Sequence, residues 1–253
     1  MGVKLPLALI AAALALALAV AAGVWILGDD ESDRASDRAA PRLSGLPLRE
    51  EPDPRELIVR VAPGGRLALR DGPNGRILSR IGDRTEFGSP QVLSPVELYR
   101  GWIAVRHTSL GNDGVAWIEA RRAPLVYAGR LVRLEVDLSH RELRVFSNDH
   151  LRRRMSVAIG AADTPTPPGE YYVTDKLPGA RFGSYYGCCI LALSGHQPNL
   201  PQGWSGGDRL AIHGSPTATW GKAVSNGCFH ASRRNLRYLM KTVPLGTEVV
   251  VHA

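Results

Sequence analysis

Cysteine is nearly missing from this chain of 253 residues: there are only 3, Cys188, Cys189 and Cys228, two of them adjacent. An odd number at that spacing fits neither a disulfide framework nor a CxxC zinc pattern, and it leaves at least one thiol free. Lysine is almost as scarce. Of 31 basic residues only Lys4, Lys176, Lys222 and Lys241 are lysines, so the net charge of +7 rests on arginine. Aromatics make up 6% of the chain and do not interleave with a basic run, which argues against a nucleic-acid binder. A basic chain of this kind suits an anionic polymer or a membrane surface instead.

Charge is absent from Leu5 to Leu27, a run dominated by Ala, Leu, Val and Ile. As a helix it spans roughly 30 Å, enough to cross a bilayer. The small-x-small sites Ala17-Leu18-Ala19 and Ala19-Val20-Ala21 leave open a cleaved signal peptide and hence secretion. The apolar run nevertheless continues to Trp25, placed as an interfacial aromatic, so an uncleaved transmembrane signal-anchor over residues 1–28 is the preferred reading. Lys4 precedes the run and Asp29, Asp30 and Glu31 follow it, which places the rest of the chain outside the cell membrane. Residues 29–54, with eight acidic and four arginine side chains, read as a disordered linker. Fully extended it reaches on the order of 85 Å.

From Arg55 short β-like runs recur: Leu57-Ile58-Val59, Leu67-Ala68-Leu69, Ile77-Leu78, Gln91-Val92-Leu93, Trp102-Ile103-Ala104-Val105 and Val115-Ala116-Trp117-Ile118. Turn chemistry at Asp71-Gly72-Pro73-Asn74-Gly75, Gly82-Asp83 and Gly111-Asn112-Asp113-Gly114 separates them. Six short strands suggest a small β-barrel over 55–127, with Trp102 and Trp117 in its core. Arg70-Asp71-Gly72-Pro73, Gly101-Trp102 and Gly114-Val115-Ala116-Trp117-Ile118 make this stretch resemble the bacterial SH3-like domains of cell-wall enzymes. The resemblance implies a wall-binding module or a spacer.

Residues 128–253 begin a second β pattern. Val132, Leu134 and Val136 alternate with Arg133 and Glu135, then Leu143 and Val145 with Glu142 and Arg144, as half-buried strands do. Asp137 to Arg141 and Ser147 to His150 supply the turns of a β-meander that continues into Met155 to Gly160. Prolines in Thr164-Pro165-Thr166-Pro167-Pro168-Gly169 stiffen the entry to an aromatic-rich strand at Tyr171-Tyr172-Val173. Ser194 to Asp208 has no periodicity and is a candidate lid or substrate-binding loop. Ser232 caps a short helix that runs to about Lys241, burying Leu236, Leu239 and Met240. Thr247 to Val251 then gives a closing strand. The fold is expected to be mainly β.

The stretch that carries chemistry is 213–228. Cys228 follows the polar turn Ser225-Asn226-Gly227, where backbone N–H groups favour a thiolate, and His213 ends the apolar run Leu210-Ala211-Ile212 as a positioned base does. Ile212-His213-Gly214-Ser215 followed by Ser225-Asn226-Gly227-Cys228 resembles the L,D-transpeptidase (YkuD) family. Val136-Asp137-Leu138 with Arg141-Glu142-Leu143, Ile159-Gly160, the Thr164 to Gly169 segment and Val243-Pro244-Leu245-Gly246-Thr247 fall in the family's order, over about 130–252. Two positions depart from the family's commonest pattern: Asn226 stands for a histidine and His230 for an arginine, which leaves His213 as the catalytic histidine.

The resemblance implies that Cys228 attacks a peptidoglycan tetrapeptide stem, releases D-alanine and passes the acyl group to a neighbouring stem in a 3→3 cross-link. His213 would be the base, Gly214 and Ser215 would orient it, and amides at Gly227 and Cys228 would hold the oxyanion. Ser225, Asn226 and His230 would bind substrate, and carbapenems would acylate the cysteine. Water as acceptor would make the chain an L,D-carboxypeptidase, and a silent site would leave a wall-binding protein. Cys228, His230 and His213 lack the repeated spacing of a zinc site, and neither metal nor cofactor is expected. Cys188 and Cys189 are expected as buried thiols, a disulfide between neighbours being strained.

Overall fold

The computed structural model describes residues 52–253. The expected anchor at 1–28 and nearly all of the linker at 29–54 lie outside the described residues. At the end of that linker, Asp53 accepts from the Arg55 amide at 2.8 Å and caps a 3-10 turn over Pro54–Glu56. Among the described residues no helix is long and apolar enough to cross a membrane.

Seven strands make the first sheet: β1 (Leu57–Val61), β2 (Leu67–Arg70), β3 (Ile77–Ile81), β4 (Val92–Tyr99), β5 (Trp102–Arg106), β6 (Val115–Glu119) and β7 (Leu125–Gly129). Their order is β3-β2-β6-β5-β4-β1-β7, and every pairing is antiparallel. The six runs legible in the sequence are β1 to β6. Arg100 and Gly101, both at positive φ, form the two-residue turn from β4 to β5, the geometry that matches strand twist. Pro95 has no N–H for a ladder, and it stands where β4 slips register against β5.

The core of this sheet is aliphatic, with Val59, Leu69, Leu93, Val105 and Ile118 at most 1% exposed. Trp102 and Trp117 are not in it, which corrects the expectation. Side chains alternate across a strand, so with Ile103, Ala116 and Ile118 inward both tryptophans face outward and stay half-buried, Trp117 edge-on to Tyr99.

The second sheet comprises β8 (Val132–Asp137), β9 (Glu142–Ser147), β10 (His150–Ser156), β12 (Gly169–Pro178), β13 (Cys189–His196), β14 (Arg209–His213), β16 (Phe229–His230) and β17 (Glu248–His252). The order is β10-β9-β8-β17-β12-β13-β14-β16; β11 (Ile159–Gly160) and β15 (Ala223–Ser225) form a separate parallel pair. The expected meander is β8-β9-β10. Its second turn uses Asn148 and Asp149, both in the left-handed region. The helix α1 (Arg233–Thr242) is capped by Ser232, whose hydroxyl accepts from the Asn235 amide at 3.2 Å. Leu236 and Leu239 sink into the core against β13, while Met240 stays half-buried.

Ser194 to His196 belong to β13, so the irregular segment starts at Gln197 rather than Ser194. A strand covered on both faces shows no alternation, and Cys189 to Gly195 are all buried. The two sheets share a third cluster of Ile58, Val92 and Tyr172 with Leu245 against it, and an Arg106–Glu170 ion pair of 2.7 Å.

Candidate active site

Parallel pairing of β14 with β16 sets the site. Ile212 lies opposite Phe229 and His213 opposite His230, which brings Cys228, one residue before β16, alongside Ala211. Cys228 as a residue is half-buried, but its sulfur is enclosed. The thiol donates to the Arg209 carbonyl at 3.8 Å and takes a hydrogen bond from the Ala211 amide. Burial pushes its pKa up to about 11 and the Ala211 amide only partly opposes this. At neutral pH the group is therefore a thiol. Backbone N–H groups do not make it a thiolate, as the sequence had suggested, because desolvation of an anion with no cation beside it outweighs one amide dipole.

His213 is 2% exposed. Its Nδ1–H donates to the Gly214 carbonyl at 2.6 Å, which leaves the Nε2 lone pair available to accept a proton. Burial, reinforced by the neighbouring His230, holds its pKa down to about 4. His213 packs against His230 at 4.7 Å between ring centroids, Tyr186 at 4.9 Å and Tyr185 at 6.0 Å. His230 is itself buried, shares a 3.2 Å contact with Thr219 through Nδ1 and has its pKa lowered by burial.

Cys228, His213, His230 and Asn226 line one cavity of about 70 Å³ with Tyr185, Tyr186 and Arg209. Gln197, Leu200, Trp204 and Asp208, from the segment after β13, line it as well. A larger cleft of about 700 Å³ lies elsewhere, lined by Arg130, Glu248, Phe146 and Asp149 among others. It is lined by charged side chains but by no cysteine, serine or threonine, so volume is not the guide to a thiol chemistry here.

The turn before Cys228 is held from below. Ser225 Oγ accepts from the Gly227 amide at 3.1 Å and donates to the Cys228 carbonyl at 2.6 Å. The Thr-Pro-Thr segment clamps it: Thr164 Oγ1 donates to Ser225 O at 2.9 Å and Thr166 Oγ1 to Gly227 O at 2.8 Å. Gln197 Nε2 reaches the Pro165 carbonyl at 3.0 Å and the Asn226 carbonyl at 3.4 Å. Gly227 has φ +105°, a conformation that side chains rarely adopt, and a Cβ there would also meet Gln197, so this position requires glycine.

Ser225 is thus committed inside the turn and does not line the cavity, unlike Asn226 and His230. The Gly227 amide, expected to face an oxyanion, is occupied by Ser225 Oγ. Ser215 accepts from Thr217 at 3.4 Å and is also off the cavity, whereas the Gly214 carbonyl bonds His213. The sequence reading missed Arg209, Tyr185 and Tyr186, since none lies on a periodic run or in the motif, whereas Gln197 lies in the segment marked as a lid or substrate-binding loop. Trp204 fell within the segment marked as a lid.

Cys188 and Cys189 are joined by a disulfide, which corrects the expectation of two thiols. Cys188 lies outside β13, just after Gly187 at φ +66°, so the alternation that separates neighbouring side chains in a strand does not apply to the pair. Cys228 is the free cysteine. Among the described residues no group of three His, Cys, Asp or Glu side chains is placed to hold a metal ion.

Residues 132–251 match the family model of YkuD, the L,D-transpeptidase catalytic domain. The YkuD protein of Bacillus licheniformis is 33% identical over 122 residues, 47% of this chain and 64% of that protein. The Bacillus subtilis YkuD protein is 30% identical over 122 residues, 47% of this chain and 65% of its own. The chain therefore spans a little under two thirds of the length of these relatives. Among solved structures, L,D-transpeptidase 3 from Mycobacterium tuberculosis with a faropenem-derived adduct is 19% identical, with a TM-score of 0.42 over 56% of this chain and 74% of that one. Over residues 132–251 the chain is thus similar to the L,D-transpeptidase catalytic domain of the YkuD type.

Proposed function

We propose that this catalytic domain acts on peptidoglycan stems outside the cell membrane, with Cys228 as nucleophile and His213 as base. The observation that carries the reading is their shared cavity, where the bond from His213 Nδ1 to Gly214 leaves Nε2 free for a proton from sulfur. The thiol turns from the Arg209 carbonyl to Nε2, and the sulfur attacks the carbonyl of the third residue of a tetrapeptide stem as its proton passes to the imidazole. The imidazolium returns that proton to the leaving D-alanine. The oxyanion is held by the Cys228 amide, since the Gly227 amide is bound to Ser225. An amine of a second stem then attacks the thioester carbonyl, its proton passes through His213 to the departing Cys228 sulfur, and the new amide is a 3→3 link.

About 70 Å³ is well below the roughly 300–1,000 Å³ of a typical ligand site, so a stem enters only as the 197–208 segment with Trp204 moves aside. His230 is buried beside the base and lacks the permanent charge of arginine, so it serves as a neutral donor to the stem rather than as a carboxylate clamp. Residues 1–28 would anchor the chain, 29–54 would tether it, and 55–127 would form an SH3-like module toward the wall.

Incubation with a disaccharide-tetrapeptide tests the reading. Released D-alanine with a cross-linked dimer is the expected product, lost in Cys228→Ala. Tripeptide without dimer would make the protein a carboxypeptidase, and no turnover would leave the wall-binding reading.

A further inference from the structure

The first sheet reaches the reacting groups of the second. Its turn at residues 83–89, between β3 and β4, is pinned by Thr85, whose Oγ1 donates to the fully buried Asp175 at 2.5 Å. From there two routes run inward. Glu86 pairs with Nη1 of Arg209, whose Nη2 donates to Thr174 Oγ1 at 2.8 Å and whose Nε donates to Leu193 O at 3.0 Å. The carbonyl of that same Arg209 is the acceptor of the Cys228 thiol. Phe87 packs edge-on to Phe182 at 5.8 Å, Phe182 to Tyr186 at 6.4 Å and Tyr186 to His213 at 4.9 Å. Phe87 and Cys228 also border one apolar cluster, of Leu177, Ile190 and Ala211.

We infer that the 83–89 turn is a positioning element of the thiol–imidazole pair: Glu86 sets the Arg209 carbonyl that holds the thiol, and Phe87 sets the tyrosine wall that holds the base. The sheet expected to be a spacer or a wall binder would thereby complete the catalytic centre of its neighbour. Neither side chain lines the cavity, so neither is a catalytic residue. Glu86 is half exposed, and an exposed ion pair contributes little to stability, so its effect is on geometry. The inference rests on the function proposed above.

The test compares the full-length wild type with Glu86→Gln, Glu86→Asp and Phe87→Ala, measuring time courses of acylation by a carbapenem. Misplacement of about 1 Å can cost on the order of 100-fold in rate, so Glu86→Gln and Phe87→Ala are expected to lower the limiting acylation rate by about 10- to 100-fold. The half-saturating concentration and the final one-to-one stoichiometry should stay at wild-type values, and Glu86→Asp should recover part of the rate. A variant that merely folds poorly would lose stoichiometry instead, and that result, or unchanged limiting rates, would overturn the inference. If the wild type itself is not acylated, the functional reading fails separately. Alkylation of Cys228 by iodoacetamide then decides: a rate altered at least severalfold in Glu86→Gln supports the positioning role, and an unaltered rate refutes it.

Discussion

A buried thiol beside a neutral imidazole has a pH signature unlike that of a preformed ion pair. With its pKa near 11, Cys228 is ionised in about one molecule in 10,000 at pH 7, a cost of about 5 kcal/mol at 1.36 kcal/mol per unit. His213, held near 4, is free to accept a proton across that whole range. Acylation by a carbapenem should therefore be flat from about pH 5 to 10 and fall on the acid side as His213 protonates. His213→Gln keeps a donor toward Gly214 but removes the base. Its rate should lose the plateau, climb tenfold per pH unit with the thiolate, and lie about 10²- to 10⁴-fold below wild type at pH 7. Stopped-flow or intact-mass time courses across buffers read this directly. A wild-type bell with limbs near pH 6 and 8, the mark of a thiolate–imidazolium pair, would refute the reasoning, as would a plateau that survives in His213→Gln.

Thr166→Val keeps the shape of the side chain but leaves the Gly160 amide and the Gly227 carbonyl without their buried partner, so it should cost about 1–3 kcal/mol for each group. Thermal denaturation should show a lower Tm, and an unchanged Tm would count against the clamp. Gly227→Ala meets both a φ of +105° and Gln197, and should lower the acylation rate by on the order of 100-fold; wild-type kinetics would show that the turn yields freely. His107 and His213 are both held near 4 by burial while an unfolded histidine titrates near 6.5, so the unfolded state binds more protons between those values. Stability should be full above pH 6.5 and decline as pH falls toward 4, by a few kcal/mol for each histidine. Denaturant titrations of His107→Gln should show a shallower decline, and an identical slope would remove His107 from the account.

Much of this was legible in the sequence because the signals are local. Period-2 alternation marks β8 and β9, the Asn148-Asp149 pair marks their hairpin neighbour, and Ser232 marks the start of α1. The Cys228 and His213 motifs stood out by residue type and spacing, and the fold brings both to one cavity. What stayed hidden depends on pairing between distant segments. The buried run of β13 resembles any apolar stretch, and its neighbours β12 and β14 are fixed only by tertiary register. The outward-facing Trp102 and Trp117 required knowing which face of each strand the core takes. The ionisation state of Cys228 follows from how completely the fold encloses its sulfur, which no neighbouring residue in the chain announces. Arg209 and Glu86, 123 positions apart, meet only because the first sheet folds back on the second.

The most direct measurement is the intact mass of the full chain and of Cys228→Ala after incubation with a carbapenem. Wild type should gain one inhibitor mass, mapped to Cys228, while the variant gains none. A wild type that never changes mass, or a variant that gains the same adduct, would contradict the account.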